Sequence, residues 1–356
     1  MKVHYKQFIF AREYRGYTQT ELSSKIKGLS QSNLSKFEKG LGLLSDEVLQ
    51  RIIQFLDFPE SFFTTKISNT IENAHYRKKA AITKAEKAKL EYSNKLIGYI
   101  IDQMAEAVEY PQFKFKEVNV EDGYSPSTIA QFVRKQFGLK DEPIADIFSF
   151  LERNGIIVIE LDSDNESFDG VSFITDNGFH VIVINKNFTN DRKRFTLAHE
   201  LGHILMHLSS DFIIADYRDV EQEANNFASE FLMPESAIKN SLYGLKLSAL
   251  VPLKEYWLTS MASIIRRARD LKCIDGNKYQ YFNIELSRKG YKKEEPINVD
   301  IDYPTIFNKA YKLHKTDLNY TDQELANAFS LPIDIIDKFC SNKTDIVRLR
   351  PKKMVI

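Results

Sequence analysis

The 356-residue sequence is poor in cysteine and has no long apolar run. Its two cysteines, Cys273 and Cys340, exclude a disulfide framework and a thiolate metal site. No stretch approaches the roughly 18 consecutive apolar residues of a membrane span. The first charged residues are not followed by the apolar segment of a signal peptide. These absences predict a protein of the reducing cytoplasm that has no membrane partner.

The sequence also lacks an excess of charge of either sign, since 49 basic residues balance 49 acidic ones. Any binding of nucleic acid must therefore come from a local surface. Apolar residues make up 43% of the chain and charged residues 28%, which is ordinary for a globular protein that buries substantial cores. The length allows two or three domains.

The stretch from residue 194 to 207, RFTLAHELGHILMH, contains the pattern H-E-x-x-H. In a helix, His199 and His203 lie one turn apart on the same face and can bind one Zn²⁺. Glu200 then has the position of a general base for water at the metal. His203 and His207 form a second pair, but Ile204 occupies the base position there, so the first pair is the predicted metal pair. The alternative is an amphipathic core helix with histidines at its polar edge.

A catalytic zinc ion needs about three protein ligands and one open position. Glu221, 18 residues beyond His203 on a second predicted helix, is the favoured third ligand. Asn225 follows one turn later, where its amide can support a ligating imidazole. Glu223 is the alternative ligand, although Phe227, one turn after it, cannot give such support. A solvated acidic helix face is the remaining interpretation.

The two segments 194–207 and 221–234, together with Phe168-Asp169-Gly170, resemble the ImmA/IrrE family of zinc metallopeptidases. The resemblance covers about residues 125 to 235. It implies zinc on the two histidines and Glu221, with Glu200 as the general base. Asn225 is a departure, because related enzymes often have Asp there. The donor to the reaction's oxyanion is left open; the candidates for it are His180, Arg192 and Tyr217.

Three runs rich in Ile and Val, at 155–161, 170–175 and 179–185, predict β-strands just before the zinc-binding helix. Asp176-Asn177-Gly178 predicts a hairpin turn between the last two strands. An edge strand beside the metal could pair with an extended substrate peptide. The alternative is that the sheet serves only as a scaffold.

The first sixty residues predict short helices, two of which are joined by a turn that contains Gly28. The segment 18–40 resembles the XRE, lambda-repressor-like family of helix-turn-helix DNA-binding domains. The resemblance implies that the second helix of this pair, which follows the turn at Gly28, enters the major groove. The alternative is a helical module that binds protein. The candidate DNA contacts are Gln19, Gln31, Ser32, Asn33 and Lys36.

These features together predict a mainly α fold with a small β-sheet (α+β). The predicted domains are a helix-turn-helix domain at 1–63, a helical connector at 64–117, a zincin-like peptidase domain at 118–250 and a mostly helical region of unknown role at 251–356. The predicted function is a DNA-binding regulatory zinc metalloendopeptidase that hydrolyses a peptide bond in a repressor-like or antitoxin-like protein. The alternative is a transcriptional regulator whose zinc domain senses or docks a partner without turnover. The oligomeric state stays open, with a homodimer as one option.

Overall fold

The computed structural model describes residues 3–64, 84–163 and 168–340. They form two compact units. One unit contains the described residues of 3–108 together with 307–340, and the other contains those of 109–306. The predicted connector and the predicted C-terminal region each contribute to both units, and their segments 65–83 and 341–356 lie outside the described residues. The four consecutive domains therefore stay a prediction about sequence modules.

Helices make up most of the described chain, and three strands form its small sheet, which confirms the predicted α+β class. The helices are α1 Tyr5–Tyr14, α2 Gln19–Lys25, α3 Gln31–Glu38, α4 Asp46–Leu56, α5 Glu60–Thr64, α6 Lys84–Met104, α7 Pro126–Gln136, α8 Ile147–Arg153, α9 Asn190–Met206, α10 Val220–Leu232, α11 Glu235–Leu242, α12 Leu250–Trp257, α13 Met261–Asp270, α14 Gly276–Arg288, α15 Ile306–Thr316, α16 Asp322–Ala328 and α17 Ile333–Phe339. Short 3-10 helices lie at Val120–Asp122 and Leu247–Ala249. Among the described helices, none combines the length and the apolar character needed to cross a membrane.

Local capping signals fix the helix starts in the N-terminal unit. Thr18 and Glu21 form a reciprocal capping box at the start of α2, and the Ser30 hydroxyl accepts from the backbone N–H of Asn33 at the start of α3. The core of this unit is rich in aromatic rings. Phe8 and Phe63 have ring centroids 4.3 Å apart, and Tyr92 of α6 lies with its ring centroid 4.8 Å from that of Phe10.

The sheet of the second unit has the order β1-β3-β2, with β1 at Ile156–Leu161, β2 at Gly170–Ile174 and β3 at His180–Asn185. β1 runs parallel to β3, and β2 runs antiparallel to it. β2 and β3 are joined by the predicted turn, in which Gly178 has a φ of 87° that favours glycine. Helix α9 packs on β2 and β3, so the H-E-x-x-H segment lies against the sheet.

Two glycines allow the elements around α9 to approach it closely. A β-carbon at Gly170 would lie 2.6 Å from Thr196 Cγ2, a distance that real contacts do not reach. A β-carbon at Gly202 would lie 3.1 Å from Phe227 Cδ1 and 3.3 Å from the backbone of Ala224 on α10. The absence of both β-carbons therefore brings β2 and α10 within side-chain reach of the face of α9 that carries the histidines.

Candidate functional site

The side chains of His199, His203 and Glu221 converge at one point between α9 and α10. The Nε2 atoms of the two histidines lie 3.0 Å apart. Glu221 Oε2 lies 3.6 Å from His199 Nε2, and Glu221 Oε1 lies 3.4 Å from His203 Nε2. The imidazoles are almost fully buried, whereas the Glu221 side chain is 34% exposed. The structure thus brings together the three residues that the sequence predicted as ligands, and one side of the cluster faces solvent.

The spacing of these atoms fits a tetrahedral ion. Bonds of about 2.0–2.1 Å at tetrahedral angles separate neighbouring ligand atoms by roughly 3.3–3.4 Å. The two ring nitrogens lie 3.0 Å apart, and the nearest carboxylate oxygen lies 3.6 Å from one and 3.4 Å from the other, so the closest contacts are near that value. Two imidazoles and a carboxylate are also a donor set that zinc uses in hydrolases. Within the described ranges, this is the group of His, Cys, Asp and Glu side chains that could hold a metal ion.

Glu200 lies on α9 directly after the first histidine and is buried among α9 and β2. The hydroxyl of Ser172, at the centre of β2, donates to Glu200 Oε2 at 2.7 Å. Ser172 is fully buried. A hydrogen bond between two buried groups restricts the orientation of the carboxylate.

His199, the first predicted ligand, contacts Asn225 through Nδ1, the ring nitrogen that is not part of the ligand cluster. His199 Nδ1 lies 3.0 Å from Asn225 Oδ1, which requires the imidazole to donate from Nδ1. That leaves Nε2 with a lone pair directed at the ligand cluster. This contact agrees in geometry with the predicted support of a ligating imidazole by Asn225. That supporting role stays a prediction.

The second predicted ligand contacts a third histidine. His203 Nδ1 lies 2.9 Å from His207 Nδ1, and His207 Nε2 lies 2.9 Å from Glu223 Oε2. Arg218 donates two hydrogen bonds to the carboxylate of Glu223, at 3.0 and 2.6 Å. Burial alone would raise the pKa of Glu223, but the hydrogen bonds from Arg218 and His207 outweigh it and hold this pKa below its usual value. Glu223, the alternative ligand in the sequence prediction, thus contacts His207 and Arg218.

The three candidates for the oxyanion donor have other contacts. The imidazole of His180 stacks on Phe113 at a centroid distance of 3.7 Å. Arg192 forms an ion pair with Asp169. Tyr217 is 81% exposed and donates to the carboxylate of Glu121 in the 3-10 helix before α7. The oxyanion donor therefore stays unassigned.

A hydrogen-bond network orders the polar side chains at the start of α2 and α3. Gln31 Nε2 donates to Gln19 Oε1 at 3.0 Å, and Gln19 Nε2 donates to Glu38 Oε2 at 2.7 Å. Glu38 is buried and bound in two places by the guanidinium of Arg12, at 2.7 and 2.8 Å. The network fixes both glutamines relative to the core. Gln31, Ser32, Asn33 and Lys36 are all exposed on α3.

Sequence reasoning named Asn225 as a partner of a ligating imidazole, but it did not find Ser172 as the partner of Glu200 or His207 as the partner of His203. Ser172 is the one polar side chain between Val171 and Phe173 in a buried strand, and this interruption of an apolar run was the available signal. The contact of His207 with Glu223 had no local signal, because 16 residues and a loop separate the two.

A helix-turn-helix unit and a histidine-carboxylate cluster on paired helices together define a class: a DNA-binding regulator with a metallopeptidase-like domain. Comparison with family models supports this class. Residues 10–63 match the helix-turn-helix family, and residues 151–269 match the peptidase family described as the IrrE N-terminal-like domain. Both resemblances predicted from the motifs are confirmed, in the same order along the chain. A comparison with curated proteins found no match.

Proposed function

We propose that the chain is a DNA-binding zinc metalloendopeptidase that cleaves a repressor-like or antitoxin-like regulatory protein. The observation that carries the proposal is the convergence of His199, His203 and Glu221. Glu200 follows His199 directly on α9, and Ser172 holds its carboxylate. These three residues would hold the ion, and an imidazole-imidazole-carboxylate set is typical of zinc hydrolases. Zinc bound there would act as a Lewis acid that polarises the scissile carbonyl and makes water nucleophilic near neutral pH.

The protein's own residues would move the protons. Glu200 accepts a proton from the attacking water and passes it to the leaving nitrogen, as a general base and then a general acid. Because Ser172 holds Oε2 at 2.7 Å, we assign the transferred proton to Oε1. Asn225 orients His199, because Asn225 Oδ1 lies 3.0 Å from His199 Nδ1. Burial of both imidazoles keeps bulk water from the inner side of the cluster.

The helix-turn-helix unit would bring this activity to a regulated promoter. Exposed amide and hydroxyl groups on α3 are suited to base edges and phosphates, and Lys36 is suited to phosphate. The buried pair of Arg12 and Glu38 fixes Gln19, which in turn holds Gln31. A pre-ordered contact loses less conformational freedom when DNA binds.

The decisive experiment compares Glu200→Gln with the unmodified protein. Each zinc-loaded, full-length protein is incubated with the repressor-like protein encoded beside its gene, and fragments are identified by mass spectrometry. We expect Glu200→Gln to retain zinc and to lose cleavage by a factor of about 10²–10⁴ or more, because the general base is absent. A chelator should abolish cleavage by the unmodified protein. Glu235→Gln is the matched control and should cleave normally, because Glu235 lies on α11, pairs with Lys239 and has a side chain that is 44% exposed.

Cleavage that survives Glu200→Gln would contradict the assigned mechanism. If the unmodified protein cleaves nothing and Glu200→Gln regulates transcription normally, the domain instead senses or docks a partner without turnover.

A further inference from the structure

A chain of buried side chains runs away from the proposed metal ligand His203. His203 Nδ1 lies 2.9 Å from His207 Nδ1, and His207 Nε2 lies 2.9 Å from Glu223 Oε2. Arg218 donates to both oxygens of Glu223. The side chains of His207 and Arg218 are 0% and 4% exposed, so water competes little for these bonds. This chain begins at the ring nitrogen that faces away from the ligand cluster.

We propose that His207, held by Glu223 and Arg218, is a positioning residue that fixes the tautomer and ring orientation of His203 for metal binding. The proposal rests on the metal centre of the proposed function. It also gives Glu223 a place in the site, because both of its oxygens accept from Arg218 and one also contacts His207. Glu223 thus supports a ligand from a distance and does not itself bind the ion.

The chemistry of the four groups determines the direction of every hydrogen bond in the chain. When His203 binds a metal through Nε2, the hydrogen of its neutral ring is on Nδ1. That N–H must donate to His207 Nδ1, which therefore carries a lone pair. The hydrogen of His207 is then on Nε2 and donates to Glu223, whose carboxylate only accepts. The guanidinium of Arg218 only donates, so each bond has one donor and one acceptor.

The opposite tautomer of His207 would break two bonds at once. A hydrogen on His207 Nδ1 would face the N–H of His203, and a lone pair on Nε2 would face the carboxylate of Glu223. Both contacts are repulsive; the first is buried and the second is part-buried. The two proposed imidazole ligands are thus supported unequally. His199 contacts a neutral amide, whereas His203 contacts an imidazole that a carboxylate and a guanidinium hold in place.

A direct test measures the tautomers in the unmodified protein. The full-length, zinc-loaded chain is labelled with ¹⁵N in its seven histidines, and long-range ¹H–¹⁵N spectra report which ring nitrogen carries hydrogen. His207→Phe assigns the signal of His207 by its loss. We expect hydrogen on Nδ1 of His203 and on Nε2 of His207. Hydrogen on Nδ1 of His207, alone or together with Nε2, would overturn the proposal.

A second test measures zinc affinity by competition with a chromophoric chelator. We expect His207→Phe to weaken zinc binding by about 10- to 100-fold, as loss of a ligand's outer partner does. His207→Asn should lose less, because its side-chain oxygen can still accept from His203. His314→Phe, in the N-terminal unit, is the matched control. His314 is also a buried histidine, and its Nδ1 lies 2.9 Å from the backbone carbonyl of Ala310 in the same unit. It should bind zinc normally.

Thermal unfolding of the metal-free variants separates positioning from general stability. If His207→Phe lowers the unfolding temperature but leaves zinc affinity unchanged, the proposal is wrong. Another outcome would refute the proposed function without refuting the positioning role. Zinc affinity that depends on His207, together with cleavage that survives Glu200→Gln, would retain the positioning role and refute the peptidase mechanism. Zinc binding that is unaffected by His199→Ala would refute the metal centre and the positioning role together.

Discussion

Replacement of Lys254 by methionine should destabilise the second unit strongly at neutral pH. Lys254 Nζ lies 2.6 Å from Asp191 Oδ2 and 2.7 Å from Glu295 Oε2, and the three side chains are only 2%, 6% and 13% exposed. Asp191 lies in the first turn of α9 and accepts from the backbone N–H of Arg192, and Glu295 accepts from the backbone N–H of Met261 at the start of α13. One cation therefore holds two buried carboxylates and, through them, the first turns of two helices.

The expected loss is about 3–5 kcal/mol at pH 7, the usual cost when one partner of a buried ion pair is removed and a charge stays buried without its counter-ion. Its pH dependence has a definite sign. Burial alone would raise the pKa of Asp191, but hydrogen bonds from Lys254 and Thr189 and the charge of Lys254 hold it below its usual value. In the unmodified protein, this group adds stability above its unfolded pKa of about 3.9, and that stability is lost as pH falls through the lower folded value.

In Lys254→Met, we expect burial to prevail, so that the pKa of Asp191 lies above its unfolded value. A raised carboxyl pKa means that stability is lost as pH rises through it. The difference between the variant and the unmodified protein should therefore be largest at neutral pH and shrink towards pH 4. The assay is urea unfolding followed by the fluorescence of Trp257, the single tryptophan, which is buried three residues after Lys254 in the core of the same unit.

Lys239→Met is the matched control. Lys239 forms an ion pair with Glu235 at the same 2.7 Å, but both side chains are more than a third exposed. We expect no measurable change in unfolding for this control, because solvent screens exposed pairs. Equal effects of the two substitutions, or a Lys254→Met defect that grows as pH falls towards 4, would refute the reasoning from burial.

Two further predictions concern the site and the helix-turn-helix surface. Ser172→Ala should lower kcat for peptide cleavage by about 10-fold with little change in zinc affinity, since the lost hydrogen bond orients Glu200 and not a ligand. An unchanged kcat in steady-state assays would contradict this role of Ser172. Gln31→Ala should weaken binding to a duplex selected from a random library by about 1–3 kcal/mol and reduce sequence discrimination, while the salt dependence measured by fluorescence anisotropy stays the same. A uniform loss across sequences with a smaller salt slope would instead assign Gln31 to phosphate contact.

The sequence by itself determined the features that depend on neighbouring residues. The spacing of His199 and His203 places them on one face in any α-helix, because the helical period is a local property of the backbone. The capping box at Thr18 and the turn at Gly178 are likewise encoded within a few residues, and the structure contains both. The same local rules predicted the α+β class, and the motifs in segments 18–40 and 194–234 carried the two family resemblances.

Tertiary structure decided which side chains from distant segments meet. Glu221 and Glu223 lie two residues apart on α10, so their side chains point about 200° apart around the helix. The docking of α10 on α9 at Gly202 places Glu221 against the imidazoles of His199 and His203, and Glu223 against that of His207. The meeting of Ser172 with Glu200 depends in the same way on the approach of β2 at Gly170. Such contacts arise from the packing of whole elements, which a local pattern does not encode.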